Sequence, residues 1–392
     1  MKIIDYKDCC GCSACIHACP KDAIAFQKDE RGFLYAEIQE DRCVECGRCK
    51  TVCPILNTKA EGEQPPKAYA ASSLEASSDK SSSGGIFALI AQKFIERGGV
   101  VFGTAMTEDF HVQVIGVTNV EDLIKLQGSK YVQSDMRNAF DQIKQHLDHQ
   151  IPVLFSGTPC QTSAIKNVFG KRDGLYLIDL VCHGVPNEQM FRDSVAHLQS
   201  KYNHQIAQIR FRDKRYGHGV IGSVTLQNGK VKKLPAYRYD YYALFLKNNI
   251  LTESCYQCPY ANPNRIGDLT LCDYWNVHVH ERDFYNACNQ KGLNGISAVM
   301  VHTSKGAELY EAIAGSVFQK ETEMRKVQAN NPSLATPTKR GADYHTCMKL
   351  YQSGSWNAVS RFYYKKYRLK NWKTALYSSL PLFVKNLLKK LR

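Results

Sequence analysis

Cysteines at Cys9, Cys12, Cys15 and Cys19, followed by Pro20, and at Cys43, Cys46, Cys49 and Cys53, followed by Pro54, repeat one pattern: C-x2-C-x2-C-x3-C-P. This is an iron–sulfur spacing, in which three thiolates of a run hold one 4Fe-4S cube and the fourth crosses to the other. One cubane therefore takes Cys9, Cys12, Cys15 and Cys53, and its partner takes Cys43, Cys46, Cys49 and Cys19. Gly11 and Gly47 permit the tight loops that bring three thiolates together, and the prolines turn the chain away beside each fourth ligand. Zinc would use four thiolates, usually as two separated pairs, and would leave half of these over. Disulfides are the remaining alternative. Cys10 lies in the first run but off its spacing, which marks it as a bystander.

Four further cysteines raise the same chemistry. Cys160 and Cys182 each follow an apolar run that reads as a strand (151–155 and 175–181), and Cys255-x2-Cys258 supplies a pair. Open α/β sheets place their ligands at the carboxyl ends of strands. Four thiolates suffice for a third cubane, although zinc, or cysteines buried simply as packing residues, also fits them. Cys272, Cys288 and Cys347 stand outside this group, with Cys272 the nearest substitute ligand. No Ser/His/Asp or paired-carboxylate constellation argues for hydrolysis.

The elements that must position these residues follow in order. Residues 1–58 form a ferredoxin module built on an internal repeat, with short strands at Ile3-Ile4, 23–26 and 33–38; its clusters stand in for a core. Residues 59–66 are a polar, proline-closed linker. A strand at 68–72, a serine-rich loop through Ser83-Gly84-Gly85, an amphipathic helix at 86–95 and a strand at 100–103 come next. Such a loop before a helix N-terminus presents backbone N–H groups to an anion; it is equally an ordinary loop with a capped helix. A helix is expected from about Thr162 to Phe169. Arg210, Arg212 and Lys214 alternate along a strand, facing either an anionic ligand or water. Asp273-Tyr274-Trp275 combines a carboxylate with aromatics, either near the C-x2-C pair or as core.

With 392 residues and a 44% hydrophobic share, the chain has room for two or three domains. The N-terminus shows no apolar signal region and no stretch approaches the roughly 20 apolar residues that span a bilayer. Many free cysteines suit a reducing cytoplasm. The net charge of +14 is concentrated late: no acidic residue follows Asp343. The helical, basic and aromatic tail suits contact with anionic lipid at the inner face of a membrane or with an acidic protein. Nothing accompanies the charge to suggest nucleic acid.

Ser83-Gly84-Gly85, the 128–134 segment GSKYVQS, the 155–161 segment FSGTPCQ, the 179–186 segment DLVCHGVP, the 211–214 segment FRDK, Cys255-x2-Cys258 and Asp273-Tyr274-Trp275 resemble the coenzyme F-420 hydrogenase/dehydrogenase beta-subunit family over about residues 67–320. That family commonly sits behind a ferredoxin module. The resemblance implies a mixed α/β domain that binds FAD and one 4Fe-4S cluster. Its N-terminal, flavin-binding region would cover 67–150 and its C-terminal region, with the third cluster and substrate, 151–340. A basic helical tail, 341–392, would follow. By the same resemblance Ser83, Gly84, Gly85, Lys130, Tyr131, Thr158 and Pro159 are flavin contacts, and Cys160, Cys182, Cys255 and Cys258 hold the third cluster. His183 is either a proton donor to flavin or substrate, or a hydrogen-bond partner of cluster sulfur. The family tends to have glycine on both sides of the Asp-Tyr/Phe-Trp core, where this chain has Cys272 and Asn276.

The function implied is an iron–sulfur flavoprotein oxidoreductase working between a small hydride carrier, F-420-like or other, and a redox partner protein. The alternative is an electron-transfer subunit without a substrate of its own. Some bacterial relatives accompany surface-polysaccharide enzymes. A scaffold whose later cysteines hold zinc is the third reading.

Overall fold

The computed structural model describes residues 2–58, 66–75, 80–170, 172–217 and 219–379. The linker expected over 59–66 lies outside the described residues except for Pro66, as do 76–79 of the serine-rich loop and the tail beyond 379.

The N-terminal module holds two very short helices, α1 (Ala14–His17) and α2 (Arg48–Val52), and a hairpin of β1 (Ile24–Lys28) and β2 (Leu34–Ile38). β1 and β2 pair antiparallel from Ile24–Ile38 to Lys28–Leu34. Ile3-Ile4, expected as a strand, is a bend: Ile3 packs into a small cluster with Cys15, Ile24, Ile38 and Cys53. A helix of four or five residues is far below the length that is stable by itself, so the cysteine loops depend on what they enclose.

The rest is a mixed α/β structure. Its strands and helices run β3 (Lys67–Ser73), α3 (Ile86–Glu96), β4 (Val100–Met106), β5 (Val112–Val117), α4 (Leu123–Leu126), α5 (Arg137–Asp148), β6 (Val153–Gly157), α6 (Pro159–Phe169), β7 (Leu175–Leu180) and α7 (Glu188–Tyr202). Then come β8 (Ile206–Arg210), β9 (Ile221–Leu226), β10 (Val231–Pro235), α8 (Asp240–Leu246), β11 (Leu269–Asp273), α9 (Val277–His280), α10 (Arg282–Gln290), β12 (Ser297–Val301), α11 (Ser304–Glu311), β13 (Val317–Thr322), α12 (Met324–Gln328) and α13 (Tyr344–Ser379). Eight strands form one sheet in the order β13-β3-β12-β11-β7-β6-β4-β5. Its centre, β11-β7-β6-β4, is parallel and its flanks are antiparallel. β6 is buried at every position, as a central parallel strand covered on both faces must be.

β8, β9 and β10 form a separate three-stranded sheet. It shares an aromatic-rich core with α7, α8 and α13, including Phe191, Phe211, Tyr241 and Trp356. α13 is two helices joined at Ser355 (φ 72). α6 starts three residues earlier than the apolar pattern suggests, because Thr158 and Gln161 form a capping box around Pro159 at the first turn.

Candidate iron–sulfur and flavin site

In the N-terminal module, Gly11 (φ +65) and Gly47 (φ +74) adopt the left-handed conformation that costs glycine nothing. Cys12, Cys15 and Cys53 are buried and Cys9 half-buried. Burial, then the neighbouring thiols Cys12 and Cys53, push Cys9 up to about 11, and burial with Cys12, Cys9 and Cys53 likewise raises Cys15. Thiols so placed keep their protons unless a cation compensates them, which bound iron does outright. A cavity of about 1160 Å³ opens over this set, lined by all four cysteines with Tyr35 and Met348 among others. In the second set Cys46 is exposed while Cys19, Cys43 and Cys49 are half-buried, and Cys49 senses the charge of Cys46 and Cys19.

Four later cysteines converge from three stretches of chain. β6 and β7 pair in parallel through Gly157–Asp179, so Cys160 and Cys182 leave the same end of neighbouring strands. Gly184 (φ +119) donates its N–H to Cys182 Sγ at 3.3 Å. A side chain at Gly184 would sit 3.1 Å from Cys255 Cβ and 3.5 Å from its Sγ, so the Cys182 turn lies flat on Cys255. Thr252 N–H and hydroxyl both donate to Val185 O, at 2.8 and 2.9 Å, and tie the two turns together. Cys255 senses Cys182, Cys160 and Cys258. Burial, then Cys160, push Cys182 and Cys258 up to about 12 and about 11. Cys160 differs: contact with the Cys10 thiol brings it down to about 7.

Donor chemistry fits cubanes. The eight N-terminal thiols carry the spacing of two 4Fe-4S clusters, and the four later ones form a further all-sulfur set. Cys272, the expected substitute, stays apart, with Asp273, Arg265 and Asp179 as its charged neighbours. Cys288 and Cys347 pack in separate apolar clusters.

A buried ion pair backs the later cysteines. Arg265 donates to Asp179 Oδ1 from Nη2 at 3.2 Å, to Leu180 O at 3.0 Å and to Tyr260 O from Nη1 at 2.8 Å. Asp179 also accepts the N–H groups of Ile266 and Gly267 and the Thr270 hydroxyl, the last at 2.6 Å. The guanidinium thereby grips the loop after Cys258 and lowers the proton affinity of Cys182 and Cys258. Sequence reasoning missed this pair; its one signal was Asp179, an acid inside the apolar run of β7.

The expected flavin segments are drawn together by hydrogen bonds. Ser129 N–H and hydroxyl donate to Ser82 Oγ at 2.8 and 2.9 Å, and Gln161 Nε2 donates to Ser134 Oγ at 2.8 Å. Their own donors are engaged within the protein: Gly84 N–H with Ser297 Oγ (2.9 Å), Thr158 N–H with Gln161 Oε1 (3.1 Å), and Lys130 Nζ with the carbonyls of Lys125 and Gln127 (3.0 and 2.8 Å). Ser83 Oγ bonds Ile296 O at 3.3 Å, and Gly85 (φ 84) caps α3. Burial brings Lys130 down to about 7. Tyr131 stacks on Phe245 with ring centroids 4.6 Å apart.

His183 lies 5.0 Å from Phe245, ring to ring, with the Asn248 side chain and the Phe245 backbone as its polar neighbours. Burial lowers its proton affinity. Arg212 forms a two-pronged contact with Asp273 (2.5 and 3.1 Å) and lies 5.4 Å from the Trp275 ring, so this stretch is no solvated face. Asn276, where the family tends to have glycine, takes φ 56. Asparagine tolerates that left-handed conformation.

Residues 152–326 match the family model for the C terminus of the coenzyme F420 hydrogenase/dehydrogenase beta subunit, and residues 8–56 match the 4Fe-4S dicluster domain. The chain thus carries a region similar to the C terminus of the coenzyme F420 hydrogenase/dehydrogenase beta subunit, behind a 4Fe-4S dicluster domain. It is 24% identical over 182 residues to a subunit of the F(420)H(2) dehydrogenase of Methanosarcina mazei, covering 42% of this chain and 49% of that protein, so the matched region spans about half the relative's length. It is 38% identical over 84 residues to a ferredoxin of Streptomyces griseus, covering 21% of this chain and 71% of the ferredoxin. A chain in a structure of the F420-reducing [NiFe] hydrogenase complex from Methanosarcina barkeri aligns over 75% of this chain and 94% of its own length, with 14% identity and a TM-score of 0.48.

Proposed function

We propose that this beta-subunit relative is an iron–sulfur flavoprotein oxidoreductase that passes electrons between a hydride-carrying substrate, FAD and three 4Fe-4S clusters. The observation carrying this reading is the convergence of Cys160, Cys182, Cys255 and Cys258 beside the sheet end where the Ser83–Gly85, Lys130–Tyr131 and Thr158–Pro159 segments meet. When bound, FAD exchanges two electrons as a hydride while each cubane passes one at a time, so together they convert between the two currencies. The chain supplies position and charge. Thr158 places its hydroxyl 3.3 Å from Cys160 Sγ, Gly184 gives its N–H to Cys182, and Arg265 holds the Cys258 loop. His183, one residue from Cys182 and beside the Asn248 side chain, is placed to hold a proton on its ring. The Ser83–Gly85, Lys130–Tyr131 and Thr158–Pro159 segments would hold the FAD.

Anaerobic purification with metal, sulfide and flavin analysis tests the reading. Roughly twelve iron per chain, four for each cubane, with one FAD supports it. About eight iron with one zinc and no flavin absorbance overturns it.

A second reading, an electron-transfer subunit docking a partner enzyme, is favoured by the exposure of Cys46. In that case flavin would be reduced through the partner and by no hydride donor alone. We further infer that the end of α13 rests on anionic lipid. Leu369 and Trp372 are 70% and 62% exposed, and they share a face flanked by Arg368, Lys370 and Lys373. No helix among the described residues is long and apolar enough to cross a membrane.

A further inference from the structure

Cys10 belongs to neither ligand set by spacing, yet it packs against the apolar cluster that holds Cys12 and the α6 residue Ala164, and its thiol lies against those of Cys12 and Cys160. The contact joins residues 150 positions apart and is fixed by its surroundings. Gln133 donates its Nε2–H to Cys10 O at 3.0 Å and its backbone N–H to Pro186 O at 2.9 Å, so one residue clamps the first cysteine loop to the Cys182 turn. Gly11 lies so close to Gln133 that a side chain there would collide with its Nε2. On the other side, Tyr260, two residues beyond Cys258, donates its hydroxyl to Pro54 O at 2.5 Å, next to Cys53. The thiols of Cys10, Cys160 and Cys12 in turn surround the Tyr260 phenol. Two separate bridges therefore span the same pair of ligand sets. Neither reaches the set of Cys43, Cys46 and Cys49, of which Cys46 is exposed.

We propose that Cys10 is a positioning residue, not a ligand, that couples the cluster of Cys9, Cys12, Cys15 and Cys53 to that of Cys160, Cys182, Cys255 and Cys258. The cluster around Cys46 is then the outlet to a partner protein. This rests on the ligand sets proposed above. A neutral thiol is a weak S–H donor, and a hydrogen bond to ligand sulfur favours the more negative, reduced cluster. One electron moves between the two coupled clusters; one is oxidised, the other reduced, and no bond is made or broken. With two bridges holding the ligand sets in contact, that electron needs no intermediate carrier.

Cys10→Ala tests this in the full-length protein reconstituted with iron and sulfide, read by redox titration with electron paramagnetic resonance. The expected result is unchanged iron content with a lowered midpoint potential for two of the three clusters, and Cys10→Ser, which keeps a donor, restores it in part. Tyr260→Phe, which removes the second bridge but no sulfur contact, leaves the potentials in place while slowing electron passage between the two clusters. Potentials that do not move in Cys10→Ala, or a shift confined to the exposed cluster, overturn the proposal. Loss of about four iron in Cys10→Ala would make Cys10 a ligand and overturn it as well. Failure of the underlying assignment reads differently: Cys160→Ser would then retain all its iron.

Discussion

Arg265 and Asp179 meet at 3.2 Å with side chains 1% and 0% exposed, directly behind the turn that carries Cys182. Their pairing is a condition of the fold as well as of the site, since each holds loop backbone that would otherwise lie buried and unbonded. Removing one partner leaves an uncompensated charge in the interior, which costs about 3–5 kcal/mol. Arg265→Met should lower the thermal midpoint by several degrees. The double variant Arg265→Met/Asp179→Leu should lose less than the two single changes combined, as a double-mutant cycle would show.

Cys160→Ser and Cys182→Ser should each remove roughly four iron and leave roughly eight in the N-terminal module. Iron and sulfide analysis of anaerobically purified protein reads this. Unchanged iron in both would separate these cysteines from any cluster.

Gly184→Ala should reach the same centre through geometry alone. Its φ of +119 disfavours any side chain, and the added carbon would stand 2.8 Å from Leu251 Cδ1 and 3.1 Å from Cys255 Cβ. Strain of about 1–3 kcal/mol is expected, with partial loss of the third cluster's absorbance and no change in the other two.

His302 gives the acid response. Burial holds its imidazole neutral and brings it down to about 4. Thr270 gives its hydroxyl proton to Asp179, so His302 Nε2–H donates to Thr270 Oγ at 2.9 Å. An unfolded chain protonates this histidine near 6.5, whereas the folded chain resists until about 4. Its contribution to stability is therefore whole above about pH 6.5, declines as pH falls toward 4, and is on the order of 3 kcal/mol. His302→Gln should flatten that stretch of the melting-temperature profile relative to the unsubstituted protein.

Lys370→Glu/Lys373→Glu should release the chain from anionic vesicles. Each basic residue near such a surface contributes about 1 kcal/mol, and reversal adds repulsion, so binding should weaken by more than about thirty-fold. Co-sedimentation with vesicles containing phosphatidylserine reads the change, and neutral vesicles serve as the control. Equal binding to neutral vesicles, or none to either kind, would remove the lipid surface from the account.

The cysteine runs were legible because their chemistry is local: within 11 residues the spacing alone brings three thiols to one centre. The later set was legible as a candidate only. Cys160 and Cys182 meet because β6 and β7 are neighbours, and Cys255 joins them because Gly184 leaves room; neither fact is written in any short window. The mixed α/β class followed from the family resemblance of the motifs, with the apolar runs supplying individual strands. The antiparallel pairing of β3 with β12 and β13 did not, since those partners lie far apart in sequence. The Cys10 contact and the Arg265–Asp179 pair were invisible for the same reason. Ile3-Ile4 misled because an apolar pair reads alike whether it extends or tucks into a corner.

The seam between α1 and α5 carries one more consequence. His17 stacks on Phe140 at 5.2 Å and its Nδ1 reaches Asp141 at 3.0 Å, while Cys12 and Ala14 complete the apolar layer over Phe155 and Ala164. A four-residue helix is too short to hold that cover by itself, so its seat depends on the metal that braces its loop. Iron-depleted protein should therefore leave these rings uncovered and be cut faster by an added protease than the loaded form.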